Sequence, residues 1–304
     1  MAKRQKEKPT RILVLFSGGL DSVLAARLLQ DQDIEVTGLT FTSYFFNAET
    51  AKKTATQIRI DLKILDISDE QLAFVKNPPH GHGKAMNPCI DCHALMLKKA
   101  KEVMEKENYD GVATGEVLRQ RPMSQNKEAL GLIAKESGLN GYLLRPLSAK
   151  ALKPTLLEEE GLVDRERLLG ISGRGRKEQI ALAEKWHIKE YPSPAGGCLL
   201  TDPQFGFRLK EMLDHWPDAD GFDVETLKIG RHFWVGDNQI VLGRNHQENL
   251  ALKETSQKGN ILIEPEIFPG PSALIRSKGN ILEKSIKEAR DLILKYSPKA
   301  DRKK

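Results

Sequence analysis

The stretch Ser17-Gly18-Gly19-Leu20-Asp21-Ser22 follows directly on the apolar run Arg11-Ile12-Leu13-Val14-Leu15-Phe16. That run has the length and residue types of a buried strand. After it, Val23, Leu24, Ala26, Leu28 and Leu29 recur at helical spacing, which predicts a helix over 22–30. The motif is therefore a tight strand-to-helix turn. Its glycines let the backbone adopt positive φ and approach a ligand closely. Ser17 and Ser22 add hydroxyl donors, and the helix N-terminus turns its free N–H groups toward the same point. A turn of this build takes phosphate or pyrophosphate. The chain lacks the Gly-Lys-Ser/Thr end of a Walker A loop here and the G-x-G-x-x-G dinucleotide fingerprint.

Outward from this turn, strand-like and helix-like segments alternate. Strands are expected at 35–41, 62–67, 110–114 and 142–147, and helices at 48–59, 92–107 and 176–187. This alternation predicts an α/β fold with a parallel sheet covered on both faces, a Rossmann-like architecture. Ligands of such sheets bind beyond the strands' carboxyl ends, where the turn, Phe41 and Thr114-Gly115-Glu116 all fall. The segment 77–88, rich in Pro, Gly and His, reads as a mobile loop with His80 and His82 exposed to solvent. A Pro- and Gly-rich segment at 191–203 closes the α/β pattern. A helix at 204–214 follows, then a hairpin at 229–245, a helix at 246–255, strands at 261–267 and 273–276, and a helix at 281–296. These predict a smaller C-terminal α+β domain. The expected organisation is a basic tail (1–9), a nucleotide-binding domain (10–203), a connecting helix and linker (204–218), the α+β domain (219–298) and a second basic tail (299–304).

A length of 304 residues favours two domains. No apolar run approaches a membrane span, and the basic N-terminus lacks a signal-peptide core. The chain is thus expected to be cytoplasmic, without a membrane partner. The net charge of +5 is compatible with a nucleic-acid partner but does not establish one.

The three cysteines, Cys89, Cys92 and Cys198, are too few and too odd in number for a disulfide framework. Cys89-Ile90-Asp91-Cys92 opens a helix, and Cys198 follows two glycines that allow close backbone approach. Three readings stay open. The thiolates hold a [4Fe–4S] cluster with one iron free. Alternatively, Cys198 and a thiol of the pair form a redox couple carrying a persulfide. In the third, they bind zinc with a fourth ligand such as His93 or His80.

The turn resembles the S-G-G-x-D-S pyrophosphate loop of the ATP-pyrophosphatase superfamily. With Asn87-Pro88-Cys89-Ile90-Asp91-Cys92, Gly111-Val112-Ala113-Thr114-Gly115-Glu116 and Gly197-Cys198-Leu199-Leu200, residues 10–215 resemble tRNA thiouridine synthetases of both the 4-thiouridine and the 2-thiouridylase branches. Two departures stand out: no rhodanese-like domain at the C-terminus and no RNA-binding extension before the loop. Residues 222–297 resemble the RNA-binding domain of NFACT proteins through Ile229-Gly230-Arg231, Leu242-Gly243-Arg244-Asn245, Pro269-Gly270-Pro271-Ser272 and the stretch from Glu288 to Ser297.

The resemblance implies ATP-dependent thiolation of a tRNA uridine: a carbonyl oxygen is adenylated, pyrophosphate leaves, and cysteine-held sulfur displaces AMP. It implies ATP contacts from Ser17, Gly18, Gly19, Asp21, Ser22, Phe41, Thr114 and Gly115, with Asp21 also orienting Mg²⁺. Cys89, Cys92 and Cys198 would hold the sulfur or the cluster iron. Arg174, Arg176, Arg231, Arg244 and Arg276 would contact RNA. The partners expected are tRNA and a sulfur donor, either sulfide or a cysteine-desulfurase-derived persulfide; the oligomeric state is left open. Two other functions share these features: an ATP-dependent amide or nitrile synthase on a small molecule, and a non-catalytic RNA-binding protein.

Overall fold

A computed structural model describes residues 8–192 and 197–297. The basic ends and residues 193–196 of the Pro- and Gly-rich segment lie outside the described residues. The chain divides into two compact units, 1–199 and 200–304.

The first unit runs β1 (Arg11–Leu15), α1 (Leu20–Gln30), β2 (Glu35–Thr42), α2 (Glu49–Ile58), β3 (Asp61–Asp66), α3 (Ser68–Lys76), α4 (Cys89–Glu107), β4 (Gly111–Thr114), α5 (Lys127–Ser137), β5 (Leu143–Leu144), the single turn α6 (Leu156–Glu159) and α7 (Lys177–Lys185). The strands form a parallel sheet in the order β3-β2-β1-β4-β5. Side chains alternate across it. Ile12 and Val14 of β1 pack in one core with α1, and Leu13 packs in the opposite core with Leu95 and Leu97 of α4. Both faces are buried, which is why β1 reads as a continuous apolar run.

β5 is shorter than the expected 142–147. Arg145 turns its guanidinium inward to Glu116 and the Leu130 carbonyl, and Pro146 has no N–H to donate to a ladder. Two helices absent from the sequence expectation, α3 and α5, cover the sheet. α5 carries ordinary end signals: Asn126 accepts from the Ala129 N–H, and Gly138 closes the helix at φ 70°.

The second unit contains α8 (Pro203–His215), α9 (Gly221–Thr226), β6 (Arg231–Val235), β7 (Asn238–Leu242), α10 (His246–Thr255), β8 (Ile261–Ile263), β9 (Ala273–Ser277) and α11 (Glu283–Lys295). Its antiparallel sheet has the order β6-β7-β9-β8. Ile240, Leu242, Ala273 and Ile275 bury one face against Ala289, Leu292 and Ile293 of α11. β8 stops at Ile263, short of the expected 267, because Pro265 cannot donate to a ladder. Helix α8, expected as a linker, belongs with this unit.

Candidate active site

The Ser17–Ser22 loop joins β1 to α1 at the carboxyl edge of the sheet. Gly18 has φ +76°, and a Cβ there would meet the Ala51 backbone at 2.7 Å. Gly19 caps α1 in extended conformation, and no side chain caps the helix N-terminus. The Ser22 hydroxyl donates to the Gly19 carbonyl at 2.8 Å, and Ser17 lies exposed beside it. One oxygen of Asp21 accepts from Gln120 Nε2 at 2.6 Å, while Oδ1 is buried with no partner. An uncapped helix start, a glycine cradle and an orphaned carboxylate oxygen fit a magnesium-bound triphosphate. The loop would hold the phosphates and Asp21 the metal, whose charge would offset that of the leaving pyrophosphate.

Gly115, just past β4, lies hard against this loop: a Cβ there would come within 2.5 Å of the Ser22 nitrogen. The next residue, Glu116, is buried in a network that the sequence did not reveal. It accepts from Arg145 Nε at 2.9 Å, meets His93 Nδ1 at 2.9 Å and takes the Thr114 hydroxyl at 3.1 Å. Burial alone would raise its pKa, but the Arg145 charge and the His93 bond outweigh that and hold the carboxyl at about 2. Gln179 extends the parallel chain by donating to Gln120 at 3.0 Å. Gly173 donates to the Leu118 carbonyl at 2.7 Å and pins the Ser172–Arg176 run alongside the segment after β4. Arg174 is exposed there, and Arg176 is partly buried.

The first turn of α4 presents the paired cysteines. Cys89 Sγ accepts from Asn87 Nδ2 and Cys92 Sγ from Gln71 Nε2, both at 3.1 Å. Burial pushes the Cys92 thiol up to about 12, and the neighbouring Cys198, Cys89 and Asp91 add to the rise against the Gln71 bond. Cys89 and Cys198 thus both lie within electrostatic reach of Cys92. Cys198 arrives on a segment whose Leu199 N–H donates to the Phe45 carbonyl at 2.9 Å, just beyond β2. Three thiols suit either a cluster or a persulfide. Among the described residues, however, no group of three or more His, Cys, Asp or Glu is assembled as metal ligands.

Four expectations need correction. Phe41 is 4% exposed and packs in the core with Leu13 and Leu39, in place of the exposed ring expected beside a nucleotide. The Thr114 hydroxyl is buried and committed to Glu116. Arg276, 4% exposed, is ion-paired with Asp223 and bonded to Gln239, which removes it from any RNA-facing surface. His80 is no free loop residue: Nδ1 meets buried Asp91 at 2.7 Å and Nε2 meets Glu136 at 3.2 Å. Among the described residues, no helix is long and apolar enough to cross a membrane.

In the second unit, Arg231, Gly243, Arg244, Asn245, Pro269, Gly270 and Tyr296 line a cleft of about 550 Å³. The Arg231 guanidinium lies 4.9 Å from the centre of the Tyr296 ring. Arg244 is bound to Glu248 through Nε at 2.8 Å.

Residues 10–166 match the model of the tRNA methyl transferase HUP domain. The chain belongs to that family. The HUP domain thus covers the loop, the paired cysteines and the Glu116 network, while residues 230–304 match the NFACT protein RNA binding domain. Among curated relatives of the HUP-domain chain, the tRNA-specific 2-thiouridylase MnmA of Syntrophotalea carbinolica is 26% identical over 82% of this chain and 71% of its own length. That of Amoebophilus asiaticus is 26% identical over 83% of this chain and 66% of its own. A solved 4-thiouridine synthetase–RNA complex with bound ATP aligns with TM-score 0.38 and 18% identity, over 59% of this chain and 50% of that one.

Proposed function

We propose that this protein is an ATP-dependent tRNA sulfurtransferase that converts a uridine carbonyl to a thiocarbonyl. The observation that carries the reading is the pairing, in one unit, of a phosphate-binding loop with cysteines Cys89 and Cys198 that both act electrostatically on Cys92. The loop alone would serve any adenylating enzyme; the thiols supply the sulfur chemistry. The thiouridylase names of the relatives agree with it.

In this reading Ser17, Gly18, Gly19 and Ser22 hold the phosphates, and Asp21 orients the magnesium. The uridine oxygen attacks the α-phosphorus and pyrophosphate leaves. The terminal sulfur of a persulfide on one cysteine attacks the activated ring carbon, and AMP leaves with the former carbonyl oxygen. A second cysteine thiolate attacks the bridging sulfur, which leaves the thiocarbonyl on the base and a disulfide on the protein. An external dithiol then resets the pair. Cys198 and one thiol of the α4 pair take these roles. The Arg231–Tyr296 cleft grips the tRNA through stacking and phosphate contact, while Arg174 and Arg176 contact RNA backbone near the loop.

The test combines anaerobically purified protein, ATP, magnesium, unmodified tRNA and a sulfide or persulfide source. Thiouridine and AMP should form together, and Cys198→Ala should lower thiouridine formation by about 100-fold or more without loss of ATP binding. AMP formation with no thiolated tRNA from any donor would sink the reading. Iron and acid-labile sulfide on the purified protein, lost in Cys198→Ala, would replace the persulfide by the cluster form of the same site.

A further inference from the structure

The nucleotide loop and the cysteine helix are separate in sequence, and a short set of contacts joins them. At one end, Gly115 is packed on the backbone of Asp21 and Ser22 so closely that a methyl group there would overlap both. At the other end, His93 immediately follows Cys92 and stands four residues after Cys89, so it shares a helix face with Cys89. Between them stands Glu116, adjacent to Gly115 and bonded to His93 Nδ1 at 2.9 Å.

Glu116 is itself fixed from behind. Arg145 meets the same carboxylate at 2.9 Å and anchors to the Leu130 carbonyl at 3.1 Å, and the Thr114 hydroxyl closes a third contact at 3.1 Å. A buried carboxylate with a paired guanidinium has one low-energy placement, and removing either partner leaves an uncompensated charge. His93 differs from the rest of the network in being 31% exposed, so its ring runs from the buried pair to solvent on α4.

We propose that Glu116 is a positioning residue that sets the distance between the ATP loop and the cysteine-bearing turn of α4, acting through His93. Its effect on turnover rests on the thiolation reading; its effect on the α4 turn does not. Sulfur must meet an activated carbon held by the loop, and a displacement of about 1 Å costs such a step on the order of 100-fold. Adenylation is completed at the loop and does not need the cysteines. Loss of the Glu116–His93 bond therefore uncouples the two half-reactions: ATP is still cleaved, and sulfur arrives late or not at all.

The experiment uses full-length protein and three variants. His93→Ala leaves the Glu116–Arg145 pair intact, which keeps the fold. His93→Asn returns an amide N–H near the Nδ1 position. Glu116→Gln removes the charge. The first readout is AMP released per thiouridine formed. In His93→Ala and Glu116→Gln the ratio should rise at least about tenfold with the Kd for ATP within about threefold of wild type, and His93→Asn should recover at least about fivefold of the loss. Equal loss of both half-reactions, or no rescue by Asn, overturns the proposal.

The second readout needs no tRNA: the iodoacetamide rate at Cys92, resolved by mass spectrometry. Release of the α4 turn should raise it about tenfold or more in His93→Ala and Glu116→Gln, with the same rescue by Asn. An unchanged Cys92 rate overturns the inference whatever the tRNA assays return. Failure of the wild type to thiolate tRNA, alongside the expected Cys92 pattern, overturns only the functional reading.

Discussion

A buried carboxylate–arginine pair stands in each unit of the molecule, and the two are built to different ends. In the second unit Asp223 takes Arg276 and, at 2.7 Å, Lys278. Arg276 also donates to Gln239 at 3.0 Å and lies over the rings of Trp216 and Phe222 at 5.3 and 5.1 Å. Asp223 and Arg276 are buried, and Lys278, 37% exposed, leads from them to the surface. In the first unit the Glu116–Arg145 pair is also buried, and its arm is His93, 31% exposed on α4. Both carboxylates hold one buried arginine and one exposed partner. What distinguishes a strut from part of a site is where the exposed partner stands: Lys278 follows β9, whereas His93 follows Cys92 on the helix that carries the paired cysteines.

The comparison is broken most directly by removing both carboxylates in turn. Glu116→Ala and Asp223→Ala should each destabilise the protein by about 3–5 kcal/mol, read by denaturant unfolding, because each strands a buried cation. They should then part: per folded molecule, Asp223→Ala should keep AMP formation and Glu116→Ala should lose coupled thiolation. Next in size is Gly18→Ala. A Cβ at φ +76° against the Ala51 backbone must move the loop, so the Kd for ATP, by titration calorimetry, should rise about tenfold or more, and stability should fall by about 1–3 kcal/mol.

A smaller effect separates two arginines of the second unit. Arg231→Ala should weaken tRNA binding about fivefold to tenfold and lower the salt slope by about one, whereas a change at buried Arg276 should act through stability alone. Filter binding across a salt series reads both. The smallest expected effect concerns His80. Its bond to Asp91, with Glu136 opposite, raises its pKa above the usual histidine value. The stabilisation of segment 77–88 is therefore full below pH ~6.5 and is lost as pH rises through the raised value, worth less than about 1 kcal/mol. Protease resistance of that segment, compared with His80→Ala, should converge on the variant at high pH.

Much of this was legible in the sequence because it depends on local pattern. The apolar run 11–16 and the Gly-Gly turn place the loop, and the strand–helix alternation gives the parallel sheet. The residues missed depend on contacts across the fold. His93 and Arg145 lie 23 and 29 residues from Glu116, and nothing in the spacing links them. Two signals were available. Arg145 is a lone charge at the end of an apolar strand, and His93 sits four residues from Cys89 on one helix. Phe41 and Arg276 failed for the complementary reason. An aromatic at a strand end and an arginine in a basic domain fit core and surface equally well, and only packing decides.

The contact between Gly115 and the loop is made entirely by main-chain atoms, so it carries almost no chemical vocabulary: it reads size and nothing else. A saturation library at position 115, selected for growth dependent on this protein, should therefore collapse to glycine. The spacing between nucleotide and sulfur would then be written in a residue that has no side chain at all.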